Sequence, residues 1–387
     1  MKGERTRAIH LGEDPLETQH GDIVPPIHVA VTFAKKSVRD VESGYVYSRT
    51  SNPTRDVLER KLAGLERGKC GFAFSSGLAA EATILLSILR SGDKIVALDD
   101  LYGGTKRLFR VLEGRFGVRV RYVDATNLHA LEKAVGEGAR IVWIETPSNP
   151  LLKIVDIREA ARIAHESGAF LVVDNTFATP VFQKPLTLGA DIVIHSATKY
   201  LSGHSDILAG AAVAVEEELC EGIGFMQNAL GAVLSPHDSW LLLRSIKTLP
   251  ARMRIHESNA KTIAEWLERD DRVEKVYYPG LSSHPGHDVA RRQMAGYSGM
   301  VSFEIKGGPE VAVRFVESLR LFHLAESLGG VESLVEIPSL MTHASVPREE
   351  RLRLGIGDSL IRMSVGIEDV EDLISDIETA LKRAFEQ

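Results

Sequence analysis

Only two cysteines, Cys70 and Cys220, occur in a chain of 387 residues. They are too few and too far apart to read as a disulfide framework or a zinc site, and both are expected as packed thiols. Dense runs of lysine and arginine are missing and the formal net charge is −7, which argues against nucleic acid or an anionic membrane as the main partner. No apolar stretch approaches a membrane span, and the opening M-K-G-E-R-T-R carries both signs of charge with no apolar segment behind it. Neither a signal peptide nor an anchor is therefore expected, and the expected location is the cytoplasm. The pair His284 and His287 lacks a carboxylate or third histidine at a useful spacing, so no metal site is expected; His195 and His204 read as loop or core histidines. No G-x-G-x-x-G follows a strand pattern, which disfavours a dinucleotide-dependent oxidoreductase.

What is present is a chain that is 44% apolar, long enough for a large core in two or three units. Its organising stretch is A-D-I-V-I-H-S-A-T-K-Y-L-S-G-H-S-D. The β-branched run Ile192–Ile194 predicts a buried strand, and Lys199 follows at its carboxyl end with Ser196 and Thr198 beside it. In open α/β sheets that edge is where ligands bind. A lone S-x-T-K is usually a surface loop, but one αβ unit upstream the strand Gly168–Val173 delivers Asp174 to the same edge. A lysine that forms a Schiff base with an aldehyde cofactor, and an acid facing a pyridinium nitrogen, are together the needs of pyridoxal phosphate.

The same edge collects further candidates. Gly71–Ala82 reads as a strand entering a helix through S-S-G-L, whose first amides, at Gly77 and Leu78, form either an anion seat or an ordinary capped helix start. Tyr102 ends the strand 93–98, with two glycines behind it, as a stacking ring or a core cap. Asn149, in T-P-S-N-P, is a ligand or a turn residue. Arg362, in L-I-R-M-S-V-G, needs a carboxylate, either internal or from a ligand. Asn52 before Pro53 predicts a helix N-cap with the helix over 57–65. Helices are also predicted over 157–166, ended by Gly168, over 238–264, and over 370–385. Strands are predicted over 272–276, 300–305 and 319–322. The first fifty residues, with V-P-P-I, hold little that forms a core and read as a tail or an arm, in which Tyr47 and Arg49 are a surface pair unless they reach a partner.

V-V-D-N-T-F at 172–177 and H-S-A-T-K-Y at 195–200 resemble the cofactor motifs of the trans-sulfuration enzymes of pyridoxal-phosphate fold type I. That family includes cystathionine γ-lyase, cystathionine γ-synthase, cystathionine β-lyase and methionine γ-lyase. The resemblance, strengthened by M-T-H-A-S at 341–345, spans nearly the whole chain. It implies an α/β fold like that of aspartate aminotransferase, with a mostly parallel sheet and a smaller C-terminal α/β domain: an arm over 1–50, a cofactor domain over 51–243 and a C-terminal domain over 244–387. It further implies that Lys199 binds pyridoxal phosphate and moves protons, and that Asp174 faces the ring nitrogen. Tyr102 would stack on the ring and transfer a proton, Gly77 and Leu78 would hold the phosphate, and Ser196 and Thr198 would also bind the cofactor. Tyr47 and Arg49 would hold the phosphate in a neighbouring subunit, so that the enzyme is a site-sharing dimer within a homotetramer.

For the substrate, a sulfur amino acid, the resemblance assigns Arg362 to the α-carboxylate with Ser327 and Asn149 assisting, and Arg107 near phosphate and substrate. Lys106 departs from the small polar residue expected beside Arg107. Glu326 resembles the γ-lyases and γ-synthases for cystathionine, where methionine γ-lyases carry an apolar residue and β-lyases an aromatic one. The expectation is a carbon–sulfur lyase that cleaves cystathionine by γ-elimination. The alternatives are the γ-synthase, the methionine γ-lyase, the β-lyase and a catalytically silent binding protein.

Overall fold

Five strands with near-continuous apolar sequences build the centre of a computed structural model that describes residues 3–39 and 44–386. In chain order the first sheet's strands are β1 (Cys70–Phe74), β2 (Lys94–Leu98), β3 (Arg119–Val123), β4 (Ile141–Glu145), β5 (Phe170–Asp174), β6 (Ile192–His195) and β7 (Gly210–Ala214). They lie in the order β1-β7-β6-β5-β4-β2-β3. From β6 to β3 every pairing is parallel, as strands buried on both faces and joined by helices require. Only β7 runs against its neighbours, bridging β6 and β1. Asp174 closes β5 beside Ile194 of β6, so the carboxyl ends of these strands form one edge.

The local signals set the elements. α1 (Glu4–His10) is followed by α2 (Pro53–Glu66), capped by the Asn52 side chain, which accepts the amides of Thr54 and Arg55 at 3.0 and 3.3 Å. The helix Ile157–Glu166 has the predicted bounds, with Gly168 at φ 71° just beyond it; only a left-handed residue lets the chain turn back so sharply there. The helix Val370–Phe385 also has its predicted bounds.

The predicted helix over 238–264 is two helices, Pro236–Ile246 and Leu249–Leu267. Pro250 has no N–H for the carbonyl of Ile246, so the first helix cannot continue. Beyond it a second sheet holds β8 (Val273–Tyr277), β9 (Met300–Ile305), β10 (His323–Leu324), β11 (Leu334–Glu336) and β12 (Leu360–Ser364), in the order β10-β11-β12-β9-β8. The strand expected over 319–322 begins only at His323. The Asp376 carboxylate takes the amides of Arg320, Leu321 and Phe322 at 2.8–3.4 Å, leaving them none for a sheet.

One further expectation is corrected. Cys70 and Cys220 are bonded to each other rather than free thiols: Cys70 starts β1, and the helix Glu217–Leu230 returns across that strand 150 residues later with Cα atoms 5.9 Å apart. The first residues have a small packed part. Ala8 is buried against α2, and Lys61 donates to the carbonyls of Ala8 and Ile9 at 2.7 and 3.1 Å while pairing with Glu13 at 2.6 Å. Beyond this clamp the segment exposes Leu16, Val29, Val31 and Val38. Met1, Lys2 and Asp40–Ser43 of the expected arm lie outside the described residues. Among the described residues no helix is long and apolar enough to cross a membrane.

Candidate active site

At the carboxyl edge of the first sheet, where it meets β12 and the loop after β10, lies a cavity of about 290 Å³. Lys199, Tyr102, Asp174, Gly77, Leu78, Ser196, Thr198, Asn149, Ser327, Glu326 and Arg362 all line it. Residues from seven separate segments therefore converge because each follows a strand end or a turn at one edge.

One wall is the start of α3 (Gly77–Ile88). The Ser76 hydroxyl accepts the amide of Ala79 at 3.0 Å and the Ser76 carbonyl that of Ala80 at 3.2 Å, leaving the amides of Gly77 and Leu78 with the positive end of the helix. The backbone is packed tightly there: a Cβ on Gly210 would lie 2.0 Å from the Ser76 carbonyl oxygen and one on Gly77 would lie 3.1 Å from Ser196 Cα. Thr198 Oγ1 is held by the backbone of Ala209, donating to its carbonyl and accepting its amide at 3.1 and 3.0 Å.

Lys199 Nζ donates to Ser327 Oγ at 2.6 Å. Burial, with help from the Arg362 charge, brings its ammonium down to about 8, against the opposite pull of Glu336 and Glu326. A fraction of free amine near neutral pH is what an aldehyde-capturing lysine needs. Asp174, half-buried at the end of β5, accepts the Thr176 amide at 2.9 Å. Tyr102 precedes α4 (Gly103–Phe116), its amide donating to Glu145 Oε2 at 3.0 Å; burial raises its phenol.

Another wall centres on Arg362, which is 3% exposed. Nη1 pairs with Glu336 Oε1 and donates to Asn149 Oδ1, both at 2.9 Å, and Nη2 donates to the Ser327 carbonyl at 2.8 Å. The internal carboxylate that the sequence left open is thus Glu336, facing Arg362 in register across β11 and β12. Arg362 Nε has no partner and the side chain still lines the cavity. Asn149 sits between two cis peptide bonds, Thr146–Pro147 and Asn149–Pro150.

Three predicted residues do not line the cavity. Arg107 is exposed on α4, and its charge pulls the Tyr102 phenol down against the effect of burial. Tyr47 is 43% exposed, and Arg49 Nη1 donates to the carbonyl and side chain of Asn228 at 2.8 and 2.9 Å. Conversely, Glu81, Glu145, Thr176, Phe177, Leu208 and Thr342 line it without having been singled out. Glu145 was findable: it ends β4 as Asp174 ends β5, and the two are in register.

The donor set fits pyridoxal phosphate: an amine titrating near 8, a half-buried carboxylate at a strand end, an exposed ring beside it and unpaired amides at a helix start. The comparisons agree. Residues 5–382 match the family model of Cys/Met metabolism PLP-dependent enzymes. A cystathionine gamma-lyase from Dictyostelium discoideum is 50% identical over 98% of this chain and 97% of its own length. A cystathionine beta-lyase from Lactococcus lactis subsp. cremoris is 51% identical over 99% of this chain and 100% of its own. The crystal structure of cystathionine gamma synthase from Xanthomonas oryzae pv. oryzae in complex with cystathionine superposes with a TM-score of 0.96 at 45% identity, covering 99% of both chains.

Proposed function

Because the chain belongs to the Cys/Met metabolism PLP-dependent enzyme family, and so is a pyridoxal-phosphate-dependent carbon–sulfur lyase, we propose that it cleaves cystathionine by γ-elimination to cysteine, 2-oxobutanoate and ammonia. The observation that carries this choice is Glu326. It lines the cavity, and its charge acts on both Lys199 and Tyr102, a position from which a carboxylate would meet the distal ammonium of cystathionine.

Bound pyridoxal phosphate supplies an electron sink conjugated to the substrate Cα. The Arg362 guanidinium, with Asn149 and Ser327, holds the α-carboxylate. Lys199 Nζ takes the Cα proton, gives it up, takes a second from Cβ and, once the sulfur has left, returns a proton to Cγ. The Tyr102 hydroxyl gives its proton to the sulfur as the bond to Cγ breaks, releasing cysteine; water completes the release of 2-oxobutanoate and ammonia. Gly77, Leu78, Ser196 and Thr198 would hold the cofactor phosphate, and Asp174 would answer its ring nitrogen.

Tyr47 and Arg49, away from their own cavity, complete the phosphate site of a second copy in a dimer, a reading supported by the exposed apolar residues Val29 and Val31 of the same segment. Such a dimer pairs into a homotetramer in the cytoplasm. A second reading, γ-replacement on an activated homoserine, is supported by the close match to the Xanthomonas synthase.

Product analysis separates them. The purified enzyme, given cystathionine alone, should yield 2-oxobutanoate and cysteine, with little condensation from acylated homoserine plus cysteine. Pyruvate and homocysteine would overturn the γ-elimination reading in favour of β-cleavage, and efficient cystathionine formation would overturn it in favour of the synthase.

A further inference from the structure

Three carboxyl groups share the floor of the cavity. Asp174 and Glu145 are in register across β5 and β4, so their side chains leave the same face of the sheet. Glu81 joins them from the second turn of α3. Glu81 and Glu145 are only 4% and 5% exposed.

Their hydrogen bonding is unequal. Asp174 accepts the Thr176 amide, and Glu145 accepts that of Tyr102. Glu81 has less: Oε1 accepts the Thr105 hydroxyl at 3.0 Å, while Oε2 is buried with no partner at all. An ionised carboxylate leaving one oxygen dry and unpaired is costly, whereas a neutral carboxylic acid makes that oxygen a donor in search of an acceptor. Asp174, which lines the same cavity, is the acceptor toward which that oxygen can turn, although the two are not hydrogen-bonded in this structure.

Charge balance points the same way. A protonated ring nitrogen neutralises one carboxylate, and carboxylates crowded in a dry site cannot all ionise. Burial and then Asp174 push both Glu81 and Glu145 well above the ordinary carboxylate range; burial raises Asp174 too, but there the Thr176 hydrogen bonds and the His195 charge oppose it.

We propose that Glu81 is a resident neutral acid which, in the loaded enzyme, keeps its proton and turns it toward Asp174, so that the pair carries one negative charge and limits how strongly Asp174 acts on the cofactor ring nitrogen. Glu81 is a positioning residue: it acts through Asp174. The inference rests on the pyridoxal-phosphate reading but not on which carbon–sulfur bond breaks.

The test uses the holoenzyme and its Glu81→Gln and Glu81→Met variants, with no sulfur substrate. Two readouts are needed: the infrared difference spectrum between wild type and E81Q at neutral pH, and the pH midpoint of the bound cofactor's visible absorbance. The spectrum should contain a protonated-carboxyl C=O band belonging to Glu81. E81Q, a neutral group that can still donate, should bind cofactor within about threefold of wild type and leave the midpoint nearly unmoved. E81M withdraws the donor, leaves Asp174 more negative and should raise the midpoint by roughly one unit. Absence of the band, a fall of the midpoint in both variants, or an E81M midpoint equal to wild type would overturn the proposal. If E81M does not fold, the E81Q spectrum decides alone. A wild-type protein with no cofactor absorbance would instead refute the cofactor reading, and failure to cleave cystathionine would leave this test unaffected.

Discussion

The Lys199 amine reaches from the end of β6 to the hydroxyl of Ser327, 128 residues later in the chain, and donates to it at 2.6 Å. One sheet supplies the amine and the loop before β11 supplies its acceptor. Since the lysine titrates near 8, capture of pyridoxal phosphate by the cofactor-free protein should speed up as pH rises through about 8 and then level off. Ser327→Ala takes an acceptor from the ammonium form, so the curve should move to lower pH. Lys199→Ala should abolish capture and reduce turnover by at least about 10²–10⁴. Stopped-flow absorbance and product assays measure both.

Arg362→Lys keeps the charge but loses the fork that spans Glu336, Asn149 and Ser327. The expected outcome is a KM raised roughly 10- to 100-fold with a smaller change in kcat, on the scale of a lost charge-assisted hydrogen bond. A lowered Tm with unchanged KM would show instead that Arg362 serves only its internal partner.

Glu326→Ala should discriminate between substrates. Cystathionine has a distal ammonium and homocysteine does not, so kcat/KM for cystathionine should fall about tenfold more than that for homocysteine. Equal losses would remove the argument for γ-elimination that rests on this residue.

Arg49→Ala should weaken cofactor binding, and mixing it with Lys199→Ala protein should restore part of the activity through hybrid dimers carrying one intact site. If mass spectrometry shows subunit exchange and no activity returns, the two chains do not share their sites.

Stability should carry a pH signature at Glu59, which accepts the Ala73 amide at 2.9 Å and is raised by burial to about 7. Its folded value lies above its unfolded one. Its contribution is therefore complete below about pH 4.5 and fades as pH rises through about 7. The stability of wild type relative to Glu59→Gln should decline across that window by on the order of 3 kcal/mol, from a shift of about two and a half units. Urea unfolding at pH 5 and pH 8 measures it.

Residues that announce themselves by type and place were legible in the sequence. Lys199, Asp174 and Tyr102 each follow a β-branched run, and strands with such runs must end at a common edge. Glu81 was hidden because a glutamate in a helix is ordinarily a solvated one; only the packing of α3 against α4 makes it an interior acid. Glu336 was hidden for a similar reason, since its partner is fixed by the register of β11 with β12. The break after Ile246 did have a signal, Pro250, which the apolar periodicity on both sides outweighed. The amides of 320–322 gave none, because Asp376, which holds them, comes more than fifty residues later.

Strand β7 separates β1 from β6, and this fixes when the catalytic centre can exist during synthesis. The helix proposed to seat the phosphate begins at residue 77 and the lysine is residue 199, yet the two stand side by side only after residues 210–214 have slotted between their strands. A ribosome that has made half the protein has therefore made both parts and neither site. The growing chain holds an open sheet edge until β7 emerges, and the arginine of β12 follows later still. Assembly from such distant pairings is slow and leaves strand edges exposed. Nascent chains arrested just before residue 210 should therefore engage chaperones and bind no cofactor.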